Sequence, residues 1–144
     1  MAMALLPRVL LYTDGGARRN PGPAAIGIVI CDAFGNVLLE HRESIGRATN
    51  NEAEYRALIR GLDLAARHTR GRVTAFSDSH LLVSQLNGEF KIKEPRLVKL
   101  AAKVRQKTAP FQEVTFEHVP RSHRMIRRAD DLVNRALDER YGRG

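Results

Sequence analysis

Apolar positions along the chain fall into short continuous runs and helically spaced series, and their order outlines a fold. The first run covers residues 8–13. Its Val9-Leu10-Leu11-Tyr12 core suits a strand buried on both faces. It stops at Asp14-Gly15-Gly16. After the turn signal Asn20-Pro21-Gly22-Pro23, residues 24–31 form a second strand, and Phe34-Gly35-Asn36 turns the chain into a third over 37–44. These three predict an antiparallel meander. Thr49-Asn50-Asn51-Glu52 then fits a capping box, and Leu58, Leu62 and Ala65 recur at helical spacing, predicting a helix to about residue 68. Residues 73–77 return to a strand. The intervening helix makes a parallel crossover beside the first strand the expected connection. A short helix over 79–86 ends at Asn87-Gly88. A helix at 95–107, a strand at 114–119 and a terminal helix at 129–141 follow, the last with Leu132, Val133, Ala136 and Leu137 inward. Three strands and then alternating helix and strand predict an α/β fold, a five-stranded mixed sheet flanked by helices.

Length and composition sharpen this outline. A chain of 144 residues suits one domain over 1–144, with loose ends expected at 1–7 and 142–144, and no repeat, low-complexity stretch or linker divides it. The content of 43% hydrophobic and 28% charged residues is that of a globular protein. The single cysteine, Cys31, lies in an apolar run and reads as a small core residue, which agrees with a reducing compartment. Residues 1–8 lack the features of a signal peptide, and no apolar run reaches the roughly 18 residues of a membrane span, so a cytoplasmic protein is expected. The formal charge of +8 favours polyanionic partners, although a merely solvated basic surface gives the same number.

Four acids hold the candidate chemistry. Asp14 ends the first predicted strand, Asp78 ends the fourth, and Asp130 falls in the first turn of the last helix. Taken singly, each is better explained by an everyday use of Asp: a turn residue, an N-cap and a charge complementing a helix dipole. Glu54 is different. It shares a helix face with Leu58 and Leu62, so it points along the core stripe, and no Lys or Arg shares that face nearby. A buried carboxylate without a partner costs on the order of several kcal/mol, and a bound cation is one remedy. If the first and fourth strands are parallel neighbours, Asp14 and Asp78 leave the same sheet edge, where open α/β sheets place their ligands. Clustered carboxylates without Cys or His suit Mg²⁺ or Mn²⁺. His41, His68, His80 and His118 fit no metal-ligand spacing.

The blocks Tyr12-Thr13-Asp14-Gly15-Gly16, Asn20-Pro21-Gly22-Pro23, Thr49-Asn50-Asn51-Glu52-Ala53-Glu54, Ser77-Asp78-Ser79 and Ala129-Asp130-Asp131-Leu132-Val133-Asn134 together resemble the type 1 ribonuclease H family, in order and along nearly the whole chain. The resemblance implies a ribonuclease H-like fold and an endonuclease, a hydrolase that cuts the RNA strand of RNA–DNA hybrids and leaves 5′-phosphate and 3′-hydroxyl ends. It implies an Asp14, Glu54, Asp78, Asp130 site for two magnesium ions, with Mn²⁺ as substitute, about 3.5–4 Å apart. It further implies that Asn20 and the Gly15 backbone meet RNA 2′-hydroxyls, that Thr49 and Asn50 grip the DNA strand, and that Ser79 reaches the RNA strand. Thr49, Asn50 and Ser79 are equally suited to starting helices. The expected partner is the hybrid alone, with the protein monomeric and no membrane or obligate protein partner.

Two departures from the family stand out. The basic, Trp-containing protrusion of long bacterial members is reduced here to residues 87–95, and the chain has no Trp. The chain resembles compact members, and hybrid affinity then falls to other cations, among them Lys91, Lys93, Arg96 and the arginines of 121–128. The loop before the last acid offers His123 where the family often places a mobile His that assists proton movement or product release, but its spacing to Asp130 is shorter. Other nucleases and integrases of the same fold, or a binding module without catalysis, are the competing readings. Mg²⁺-dependent cleavage of a hybrid separates the last of these from an enzyme.

Overall fold

The computed structural model describes residues 5–143. Its elements are β1 (Leu6–Ala17), β2 (Gly22–Asp32), β3 (Val37–Ala48), α1 (Asn50–Ala65), β4 (Thr69–Ser77), α2 (His80–Leu86), α3 (Pro95–Lys107), β5 (Glu113–His118) and α4 (Arg124–Tyr141). The five strands form one mixed sheet in the order β3-β2-β1-β4-β5. β1, β2 and β3 make the antiparallel meander, while β4 runs parallel to both β1 and β5. The predicted fold class and strand directions therefore hold.

Both sheet faces are covered, as the continuous apolar runs required. Strand alternation sends Val9 and Leu11 of β1 and Ile26, Ile28 and Ile30 of β2 to one face, where they pack with α1, α2 and α3. It sends Tyr12, Ala25, Val29 and Cys31 to the other face, under α4. Cys31 is a buried free thiol in that layer, as expected. Among the described residues, no helix is long and apolar enough to cross a membrane.

Several boundaries differ from the sequence reading. β1 starts at Leu6, so residues 6 and 7, expected in a loose end, are strand; residues 1–4 and 144 of the expected ends lie outside the described residues. β1 also continues past Asp14 to Ala17, because β2 pairs with it as far as Ala17↔Ala24. Asp14 is thus inside a strand rather than at its end. α1 stops at Ala65. The largest shift is in α4, which begins at Arg124 instead of 129, because Met125 and Ile126 are buried on its sheet-facing side. Burying a side chain such as Ile126 stabilises by about 1.5–3 kcal/mol, enough to extend a helix by a turn. Asp130 accordingly lies in the second turn, and a charge–dipole role in the first turn does not apply to it.

Candidate active site

Four elements deliver the acids. Asp14 follows Tyr12 by two residues, so its side chain lies on the α4 face of β1. Asp78 comes immediately after β4, and the N-cap of α2 is its neighbour Ser79, whose hydroxyl accepts from Leu82 N–H at 3.2 Å. Capping therefore does not account for Asp78. Glu54 lies in the second turn of α1 and Asp130 in the second turn of α4.

Two glycines let these helices come close. At Gly15 an added Cβ would stand 2.3 Å from the Ala53 carbonyl oxygen, so α1 is seated against β1 right beside Glu54. At Gly27, which pairs with Asp14 across the sheet, an added Cβ would stand 2.2 Å from the Ala129 carbonyl oxygen, which seats α4 beside Asp130. Any larger side chain at either point would push an acid away.

Carboxylate oxygens of Asp14, Glu54 and Asp78 lie within 4.8 Å of one another. Asp130 joins them on the wall of a cavity of about 440 Å³ and is within hydrogen-bonding reach of Asp14. The Asp14 carboxyl is pushed up to about 9, first by burial and then by Glu54, Asp78 and Asp130. Glu54 is pushed up to about 8, mainly by burial and next by Asp78, while the Gly15 N–H that it accepts at 2.6 Å pulls the other way. Burial also raises Asp78, with Arg121 opposing. Acids that crowd together at this cost are compatible with the donor set of a hard divalent cation: oxygen-only, close-spaced and anionic. The residues fit the metal site that their sequence suggested.

Of the expected nucleic-acid residues, Thr49, Asn50 and Asn20 gather around the start of α1, while Ser79 starts α2. Thr49 caps the helix and completes the capping box with Glu52. Asn50 N–H donates to Asn20 Oδ1 at 3.0 Å, and Ala17 N–H donates to Asn50 Oδ1 at 2.9 Å. Asn20, Asn50, Thr49 and Ser79 each accept one bond from the backbone and keep an amide or hydroxyl donor, suited to a phosphate or a 2′-hydroxyl. Gly15 has its N–H taken by Glu54, which leaves its carbonyl.

His123 is not brought to the cluster. It is the N-cap of α4, with Nδ1 accepting from Met125 N–H at 3.1 Å, and its ring stacks on Tyr12 at 5.3 Å. It is absent from the residues lining the carboxylate cavity. In this structure the histidine expected to assist catalysis serves as a cap and a stacking partner, because the helix starts directly after it.

Sequence reasoning missed Arg18 and Asn134 on the cavity wall. Arg18 is held by Asp138 and by the Gly142 carbonyl, partners too distant in sequence to leave a local signal. Asn134 did have one, since it follows Asp130 by one helical turn.

Comparison with known proteins agrees with this geometry. A family model described as reverse transcriptase-like matches residues 12–136. A bifunctional protein of Mycobacterium tuberculosis is 42% identical over 91% of this chain, which spans only 36% of that relative's length. The crystal structure of ribonuclease H1 from Halobacterium salinarum superimposes with a TM-score of 0.87 at 41% identity, covering 92% of this chain and 98% of that one. LC11 ribonuclease H1, solved in complex with an RNA/DNA hybrid, gives a TM-score of 0.84 at 42% identity, covering 92% and 98%. With its acids, its sheet order and these relatives in agreement, the chain belongs to the type 1 ribonuclease H family.

Proposed function

We propose that this chain is an endoribonuclease that hydrolyses the RNA strand of RNA–DNA hybrids, leaving 5′-phosphate and 3′-hydroxyl ends. The observation that carries the reading is the convergence of Asp14, Glu54 and Asp78 within 4.8 Å on the wall of an open cavity that Asp130 shares. Those four side chains would hold two divalent ions, Mg²⁺ or Mn²⁺, which supply Lewis acidity and charge neutralisation at the scissile phosphate. The chain's own part is positioning. Glu54 is oriented by the Gly15 N–H, and Asp14 by its place in a paired strand. The free donor of Asn20 and the carbonyl of Gly15 recognise the RNA 2′-hydroxyl, the group that separates RNA from DNA. Thr49 and Asn50 hold the DNA strand, and Ser79 meets the RNA strand beside Asp78. His123 supports α4 and stands outside this set. The protein acts as a monomer in the cytoplasm, where the free Cys31 stays reduced.

The deciding assay offers labelled hybrid, duplex RNA and duplex DNA with Mg²⁺, with Mn²⁺ and with excess chelator. The expected result is internal cleavage of the RNA strand of the hybrid, lost in chelator. Binding without cleavage, equal cutting of duplex DNA, or full activity in chelator would overturn the proposal.

A further inference from the structure

The arginines of α4 differ in their partners. Arg128 is committed to Glu40, donating through Nε at 2.8 Å and through Nη2 at 2.9 Å, and Arg135 pairs with Asp131 at 3.1 Å. Arg124 and Arg127 are exposed and form no ion pair among the described residues. They lie one turn apart on the same helix face, together with Ser122 along an open groove of about 530 Å³. That groove continues the carboxylate cavity, because Asp130 and Asn134 line both. Arg121 stands at the junction, on the carboxylate cavity and on a neighbouring hollow with Arg127. Arg128 and Arg135 are paired with acids and Arg140 lies over the Tyr141 ring, whereas Arg124 and Arg127 face the groove without an ion pair among the described residues, next to the cavity that holds the acids.

We propose that the RNA strand leaves the carboxylate cavity along this groove, with Arg124 and Arg127 holding its phosphates next to the cut. The inference rests on the hybrid-hydrolase reading and goes beyond it by naming the strand and the cations. The strand is RNA because the groove opens from the carboxylates, so the strand lying in it is the one being cut. The contacts are electrostatic and blind to sequence. They take over some of the grip that a basic protrusion gives to longer relatives.

The test compares wild type, the double variant Arg124→Gln/Arg127→Gln, the charge-keeping Arg124→Lys/Arg127→Lys, and Arg135→Gln as a paired arginine from the same helix. Each is assayed over a salt series on hybrids whose RNA strand is trimmed on one side of the cut at constant DNA length, or whose DNA strand is trimmed at constant RNA length. For the Gln pair the expected KM rises roughly tenfold with a far smaller change in kcat, and the logarithmic salt slope falls by about 1 per lost contact. Trimming the RNA on the α4 side weakens wild type and leaves the Gln pair unaffected. The Lys pair stays near wild type, as does Arg135→Gln. An unchanged KM and salt slope, equal sensitivity of both proteins to RNA trimming, or a loss that follows DNA trimming would overturn the inference while wild-type cleavage leaves the enzymatic reading intact. If wild type does not cut hybrids at all, the enzymatic reading fails and takes this one with it.

Discussion

Replacing Asp14 with Asn should make the metal-free protein more stable at neutral pH. Burial, then Glu54, Asp78 and Asp130, lift the Asp14 carboxyl from its ordinary 3.8 to about 9. A carboxyl whose folded pKa lies above its unfolded one binds its proton more tightly in the native state. Well below 3.8 both states are protonated and stability is unaffected. As pH rises toward 9, the unfolded chain ionises first, and native stability falls by about 1.36 kcal/mol per pH unit. Between 3.8 and pH 7 this amounts to about 4 kcal/mol as an upper bound. Asn has no proton to lose and escapes that loss. Its buried amide must find an acceptor, and an incomplete match costs about 1–3 kcal/mol. A net gain of about 2 kcal/mol at pH 7 results. With an unfolding entropy of about 2.1 cal/mol/K per residue, a chain of 144 residues converts this into a Tm increase of about 6–7 °C. Thermal melts of both proteins in chelator at pH 3, 5 and 7 measure it. The gain should fall to zero near pH 5 and turn into a loss at pH 3, where only the amide cost of about 1–3 kcal/mol remains, and it should shrink in Mg²⁺, which stabilises wild type by mass action. A variant less stable than wild type at pH 7 without metal, or a gain that ignores pH, would refute the account of a crowded, unneutralised acid cluster.

Three further outcomes are expected. Asp78→Asn should lower kcat by more than the roughly 10–100-fold typical of losing an outer partner of a metal ligand, while hybrid binding measured by fluorescence anisotropy persists. Gly15→Ala should lower the urea midpoint by an amount equivalent to about 1–3 kcal/mol, because its Cβ meets the Ala53 carbonyl at 2.3 Å; Gly16→Ala, whose nearest neighbour would be Val133 at 3.8 Å, should cost far less. Glu40→Ala removes the exposed Arg128 pair and should change stability by less than about 1 kcal/mol, an effect that disappears in high salt.

Much of this was legible in the order of residues. The central strand announced itself through Val9-Leu10-Leu11-Tyr12, and the α1 cap through Thr49 and Glu52, because both depend on near neighbours. Glu54 could be placed on the core side by helical periodicity alone. The start of α4 could not, because Met125 and Ile126 are helical only by virtue of the sheet face they cover. The placement of His123 was illegible for the same reason: its capping contact follows from where that helix begins. Arg18 was beyond reach, since Asp138 stands 120 positions away.

The short overlap between β1 and β4 has a consequence for solubility. Their pairing ends at Tyr12↔Phe76, yet β1 runs on to Ala17, so its last residues present a bare strand margin toward the gap. Gly15 and Ala17 are two apart and point their N–H groups to that same side, where a stray strand could dock. Glu54 covers the first and Asn50 the second. The acid proposed as a metal ligand thus also occupies a strand donor that a second chain would need. An amide at position 54 would retain this guard after the metal site is lost, whereas truncation to Ala would open the margin and favour aggregation of the folded protein.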